Sequence, residues 1–313
     1  VGRRVVAIAN PAAGLRRRGD PARKAIEAFR RVDPRARVDV IHTERPGDAK
    51  RIAARAASTG ADLVLAVGGD GTAHEAANGL LGTRTALGVI PAGTMNLLAR
   101  VLGLPIDPEA AARRLALSAH FREVRPGRAG ETAFLLMAGV GFDAWVLREL
   151  LAAVRGKIRF RDYVRGALAG LRTYPFPSLR VQLRDEAIEC HSAVIGRAPL
   201  YGGFLRPTPR ADLSRDRFEV CALSGGRGTL ARALAAMGTG AHSAREGARF
   251  RFAVEVEIEV EAPGAPIPFQ LDGEPGGTLP ARFEIARETL RLAALTPSPP
   301  ASTLGPSPPE DRS

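Results

Sequence analysis

Leu63-Val64-Leu65-Ala66-Val67 runs without a polar interruption into Gly68-Gly69-Asp70-Gly71-Thr72, and from Ala73 to Leu81 the apolar spacing turns helical. An apolar run with no alternation describes a strand buried on both faces. Strand, glycine turn and helix in that order make half of a βαβ unit, the building block of a parallel sheet. The flanking sequence repeats the pattern. Val5 to Ala9, Val38 to Ile41 and Ala86 to Ile90 read as strands, and residues 21–32, 47–60 and 96–102 as helices. The fold class that follows is α/β, with an N-terminal parallel-sheet domain over residues 1–123.

In such a sheet, ligands bind at the carboxyl ends of the strands. Three of those ends carry glycine: Asn10-Pro11-Ala12-Ala13-Gly14, Gly68 to Thr72, and Pro91-Ala92-Gly93-Thr94-Met95-Asn96. Glycine lets the backbone curl and present N–H groups, which suit phosphate oxygens ahead of a helix N-terminus. One such loop is an ordinary βα turn; three together point to a nucleotide phosphate. Asp70 would repel a phosphate, so its part is to hold a metal or to order the loop.

After about Glu123 the texture changes. Strand-like runs follow at Thr132–Met137, Leu179–Leu183, Ile188–Ile195, Phe218–Leu223, Phe250–Glu261, Ile267–Leu271 and Arg282–Ile285. Residues 255–261 alternate Glu with Val or Ile, the mark of a half-exposed strand. Helical stretches interrupt at 143–154, 158–172 and 228–237. Residues 124–295 therefore read as a mainly antiparallel β domain, and the Pro/Ser-rich residues 296–313 as a disordered tail.

The chain has 313 residues, 45% of them hydrophobic, enough to bury the cores of about two domains. Cys190 and Cys221 alone exclude a disulfide scaffold. No apolar run approaches the ~20 residues of a membrane span, and no secretory signal precedes the first strand. A cytoplasmic protein is expected. The net charge is +12, yet only three of the 45 cations are lysine (Lys24, Lys50, Lys157), which looks like a GC-rich coding bias. There is no RNP-type aromatic motif, zinc finger or basic recognition helix, so nucleic acid is not the expected partner.

Other motifs are weaker. No GxxxxGK[ST] is present. Gly139-Val140-Gly141-Phe142-Asp143-Ala144 fits GxGxx[GA] but lacks a convincing βαβ context. His42, His74, His120, His191 and His242 have no metal-ligand spacing and read as surface or packing residues. Asp272-Gly273 between strand-like runs is a type I′ hairpin signal.

Taken together, GGDGTAHEAANGL at 68–80, the NPxxG-like start at 10–14 and PAGTMNLLARVLGLP at 91–105 resemble the diacylglycerol kinase catalytic-domain family. GVGFDA at 139–144, PTPRADLSRDRFEV at 207–220 and QLDGEPGGTLP at 270–280 extend the resemblance, in order, to about Leu295. It implies an NAD kinase/diacylglycerol kinase-like fold, with ATP and Mg²⁺ in the cleft between the two domains. By position, Asn10, Thr43, Gly68, Gly69, Asp70, Gly71, Thr72, Glu75, Gly93 and Thr94 line the nucleotide pocket. Asp272 is the implied general base, and Glu274 its neighbour in a magnesium-linked acidic network that includes Asp70. Asp216 matches an aspartate at which some bacterial members hold a structural magnesium.

The departures are specific. Ala13 replaces a serine, Arg16 to Arg18 follow it as a basic loop, and Arg217 replaces the glycine after Asp216. The expected activity is ATP-dependent phosphorylation of a membrane-lipid hydroxyl, diacylglycerol or a related lipid. The alternative is a soluble-substrate kinase of the NAD kinase type, which GGDGT alone permits. Residues 155–172 mix cations with Phe160, Tyr163, Val164, Leu168 and Leu171, as a helix docking on an anionic membrane would. A solvated cationic face over a core stripe fits the same residues. Transient location at the inner face of the membrane goes with docking. Oligomeric state stays open, a homodimer included.

Overall fold

The computed structural model describes residues 2–13, 20–118, 121–154, 160–202, 205–237, 247–261 and 266–293. Gly14, the Arg16–Arg18 loop, His120, His242, the 155–159 start of the basic stretch and the 296–313 tail lie outside them. The described chain forms three six-stranded sheets.

The first sheet holds β1 (Arg4–Ala9), β2 (Arg37–His42), β3 (Leu63–Gly68) and β4 (Ala86–Pro91) in the order β2-β1-β3-β4, all parallel. β3 and β4 are buried along their whole length, as their unbroken apolar sequence requires. Helices α1 (Pro21–Val32), α2 (Asp48–Ser58), α3 (Asp70–Leu80), α4 (Leu97–Val101) and α5 (Pro108–Leu117) follow the strands. Helix α1 starts where Asp20 accepts the Ala22 and Arg23 amides and Pro21 presets φ. Helix α5 was not expected from sequence. Its apolar stripe is mostly alanine, but the Asp107-Pro108 pair caps it as Asp20-Pro21 caps α1, and its Leu115 is wholly buried.

The other two sheets are antiparallel. One runs β10 (Ala187–Cys190), β9 (Leu179–Gln182), β14 (Glu255–Val260), β17 (Ala281–Ile285), β6 (Gly127–Ala129), β7 (Thr132–Phe134). The other runs β13 (Ala248–Ala253), β12 (Phe218–Leu223), β11 (Ser192–Gly196), β8 (Met137–Val140), β15 (Pro268–Leu271), β16 (Glu274–Thr278). Between them lies an apolar core in which Phe134 stacks on Phe218, and Phe283 meets both Phe134 and Phe269 edge-on. β14 buries Val256 and Ile258 and exposes its glutamates. Helices α6 (Phe142–Ala153), α7 (Phe160–Thr173) and α8 (Arg227–Met237) cover the β8-containing sheet.

Three runs expected to be single strands each divide between the two sheets. Thr132–Met137 breaks at Leu135-Leu136, Ile188–Ile195 at His191, and Phe250–Glu261 at Val254. Apolar continuity hides such a switch, because both sheets bury the same core. β18 (Leu290–Ala293) was not expected either; it returns to the first sheet, parallel to β4 and antiparallel to β5 (Phe121–Val124). The chain thus crosses between the halves twice, near residues 125 and 287.

Candidate active site

The glycine loops at the carboxyl ends of β1, β3 and β4 interlock. Asn10 donates its main-chain N–H to Val67 O at 3.0 Å, and its side-chain amide to Thr72 Oγ1 at 3.1 Å. A Cβ on Gly68 would fall 2.4 Å from Thr72 Oγ1, and one on Gly93 would fall 2.5 Å from the Gly69 Cα. Backbone meets backbone there, so glycine is required by space. Asn96, at φ +51°, closes the third loop: its Oδ1 accepts from Gly93 N at 2.9 Å and its Nδ2 donates to Gly93 O at 3.0 Å.

Asp70 begins α3, and its Oδ1 accepts the Leu98 amide of α4 at 3.1 Å, so it does order the neighbouring loop. Burial raises its pKa, against the pull of the Leu98, Leu97 and Asn96 amides. Thr43 is held at the end of β2 by its N–H bond to Ala9 O. Glu75 engages both carboxylate oxygens on the α2 N-terminus, accepting from Gly47 N at 2.9 Å and Ala49 N at 3.0 Å. It therefore fixes the turn after Thr43. Thr94 is exposed on the rim.

Asp272 and Gly273 form the β15–β16 turn with φ +53° and +90°, the left-handed pair of a type I′ hairpin. The turn aims the Asp272 carboxylate inward, where it is 3% exposed. Its Oδ1 accepts from Leu136 N at 2.8 Å and Met137 N at 2.9 Å; its Oδ2 accepts from Leu135 N at 2.7 Å. These amides lie at the β7–β8 break, so the strand switch is what frees them for the carboxylate. The fourth partner is His74 Nδ1, 3.2 Å from Oδ2. Burial alone would lower the His74 pKa, but the hydrogen bond and charge of Asp272, with Glu274 and Glu75 behind them, raise it.

Helix α3 thus presents positions 71, 74 and 78 to the second half of the chain. A Cβ on Gly71 would lie 2.6 Å from Glu274 Oε1, so the glycine admits that carboxylate to the α3 N-terminus. Burial, and then the charges of Glu75 and Asp272, raise the Glu274 pKa, opposed by His74. Asn78 pairs with the Ala133 backbone in both directions, accepting at 2.8 Å and donating at 2.9 Å.

Beside this turn, α6, α7 and α8 enclose a cavity of about 430 Å³ with an apolar lining that includes Phe142, Val146, Leu171, Val194 and Leu234. Among the described residues its one carboxylate, Asp143, accepts from the Tyr201 hydroxyl and, at 2.8 Å, from Gln270 Nε2, and burial raises its pKa. Gln270 Oε1 accepts Gly273 N at 2.6 Å, tying the cavity wall to the Asp272 turn. Val164 and Leu168 also line the cavity, yet are 43% and 60% exposed on α7.

The sequence profile of the diacylglycerol kinase catalytic domain matches residues 4–129, and that of the YegS C-terminal NAD kinase beta sandwich-like domain matches residues 137–294. The chain belongs to the diacylglycerol kinase catalytic-domain family. A diacylglycerol kinase of Mycobacterium tuberculosis (strain ATCC 25618 / H37Rv) is 31% identical over 249 residues, 76% of this chain and 79% of its own length. One from Staphylococcus saprophyticus is 27% identical over 247 residues, 77% and 79% of the two chains. The crystal structure of a diacylglycerol kinase from Bacillus anthracis str. Sterne aligns with a TM-score of 0.70 at 20% identity, covering 93% of this chain and 97% of its own. That likeness establishes the shared fold.

GxGxx[GA] at 139–144 lacks a parallel βαβ setting in the structure, as its sequence context suggested: β8 pairs antiparallel with β11 and β15, and Gly141 takes φ +80° to turn into α6. His74, read as a packing residue, is the side-chain partner of Asp272. Asn78, Asp143, Tyr201 and Gln270 were not singled out as site residues, since their partners come from distant segments. Asp216 lies apart, 53% exposed and 3.3 Å from the Arg125 guanidinium. Among the described residues no three His, Cys, Asp or Glu side chains gather as metal ligands. Magnesium at a phosphoryl-transfer site needs only one or two carboxylates beside the substrate phosphates. Asp70, at the start of α3, and Glu274, whose Oε1 lies against Gly71 one residue on, are oxygen donors of like charge at one helix N-terminus and fit that need.

Proposed function

We propose that this chain transfers the γ-phosphoryl group of ATP to a hydroxyl of a membrane lipid, diacylglycerol or a close relative, with Asp272 as general base. The observation that carries this reading is the apolar cavity beside the Asp272–Glu274 turn. An alkyl chain is what such a lining recognises, and burying each of its CH₂ groups is worth about 0.8 kcal/mol. Its position next to carboxylates that face the glycine loops sets a lipid hydroxyl where phosphate would arrive.

Phosphoryl transfer asks mainly for positioning and charge neutralisation. The interlocked loops of Gly68 to Thr72 and Gly93-Thr94 offer main-chain N–H groups to the phosphates. Asp70 and Glu274 would hold Mg²⁺, which supplies charge neutralisation on the phosphates when bound. A lipid hydroxyl must shed its proton as the new bond forms, and a carboxylate within hydrogen-bond reach can take it. Three of the four groups on Asp272 are main-chain amides and stay in place. His74 is the partner that yields its position on Oδ2 to the substrate hydroxyl.

The lipid reaches the site from the bilayer. Exposed Val164 and Leu168 on α7 and Leu151 on α6 would enter the interface, with exposed Arg161, Arg165 and Arg172 at the headgroups. No helix among the described residues is long and apolar enough to cross a membrane. The test is a transfer assay with labelled ATP and Mg²⁺ over diacylglycerol, phosphatidylglycerol, sphingoid bases, ceramide and NAD, read by mass spectrometry. A phosphorylated lipid is expected. Phosphorylation of NAD with none of any lipid contradicts the reading.

A further inference from the structure

The loop after Ala211 carries a cation of its own. Arg197 follows β11 and is wholly buried. Its guanidinium reaches four main-chain carbonyls from two separate segments. One terminal nitrogen donates to Arg215 O and, at 2.7 Å, to Arg217 O; the other donates to Leu213 O at 3.0 Å and to Arg125 O at 2.5 Å. Convergent carbonyl oxygens in an acidic setting are what a hard divalent ion collects. A guanidinium meets the same set with N–H groups in a fixed planar fork.

The neighbouring carboxylates are taken up by other partners. Asp216 turns to Arg125 and is half exposed, while Asp212 accepts Ser214 N at 2.8 Å and Ser214 Oγ at 2.6 Å. The carbonyls of Leu213, Arg215 and Arg217, on both sides of Asp216, already point at Arg197. Burial lowers the Arg197 pKa to about 10, opposed by the charges of Asp216 and Asp212, so the group stays charged at neutral pH. The residues present do not fit the structural magnesium that the resemblance implied for Asp216.

We propose that the Arg197 guanidinium is the structural cation of this loop, cross-linking residues 213–217 to Arg125, and that the fold of this chain needs no metal at Asp216. The consequence reaches beyond the loop. Arg125 lies on the crossing from the first sheet to the second, between β5 and β6. The Arg197 main-chain N–H donates to Leu136 O at 2.8 Å, and Leu136 N is one of the three amides on Asp272. One residue therefore pins the inter-sheet crossing with its side chain and braces the Asp272 cradle with its backbone.

The inference stands apart from the kinase reading, because its test uses no substrate. Thermal unfolding of the nucleotide-free chain is followed in EDTA, in Mg²⁺ and in Ca²⁺, for the wild type, Asp216→Asn and Arg197→Lys. Lysine keeps the charge but loses the fork, so it remains informative where alanine fails to fold. The wild type and Asp216→Asn are expected to share one Tm, indifferent to EDTA and either ion, with Arg197→Lys well below it. A rise in Tm with Mg²⁺ that Asp216→Asn abolishes, or an Arg197→Lys protein as stable as the wild type, overturns the proposal.

Discussion

At Asp272 a left-handed φ and a carboxylate gripped by three amides occur together because one tight turn produces both. Asp tolerates that conformation better than most residues, which lets an inward-facing carboxylate occupy a turn position. Its partner His74 has a pKa raised on folding, so its proton is held more tightly in the native state. That contribution to stability is complete below the ordinary value of 6.5 and is lost as pH rises through the raised folded value. The urea midpoint of the wild type should therefore fall more between about pH 6 and about pH 8.5 than that of His74→Gln. Equal falls would remove the ion pair from the stability of the fold. Gly93 tests the loops at the same scale. In Gly93→Ala the new Cβ meets the Gly69 backbone, so isothermal titration should show nucleotide affinity reduced at least tenfold, while lipid binding is spared.

Helix α3 joins the two halves through residues spaced one turn apart, with Gly71 at Glu274, His74 at Asp272 and Asn78 at Ala133. Asn78→Ala leaves the Ala133 N–H and carbonyl without that partner and should cost about 1–3 kcal/mol in chemical denaturation. It should also speed amide exchange at Ala133, which a purely local helix effect would not do. The αβ half was legible because βα units keep their signals local: Asp20-Pro21 starts α1, and the glycines end β3. The β-rich half was legible in composition but not in connection. Thr132 to Met137 reads as one strand, and only the long-range pairing of Leu135 to Met137 with Asp272 explains why it breaks. Of the site, the glycine loops and the Asp272-Gly273 turn were visible as local patterns. The roles of His74, Asn78 and Gln270 depend on partners 198, 55 and 127 residues away, which no local pattern encodes.

At the scale of the whole molecule, the +12 charge is best understood by where it sits. Arg161, Arg165 and Arg172 are exposed on α7, the helix whose Val164 and Leu168 line the apolar cavity, while Arg197 is buried among main-chain carbonyls. Wild-type protein should sediment with anionic vesicles in preference to neutral ones at low salt, and Leu168→Glu should weaken that binding several-fold. No preference for anionic vesicles would separate α7 from membrane docking. The two sheets, the α3 spine and the cavity all converge on one carboxylate, and that convergence is most directly tested there. In a transfer assay with labelled ATP, Mg²⁺ and a lipid acceptor, wild-type protein should phosphorylate the lipid. Asp272→Asn, shown to be folded by circular dichroism, should lose about 10²- to 10⁴-fold in kcat. Full activity in the folded Asp272→Asn protein would contradict the assignment of Asp272 as the base.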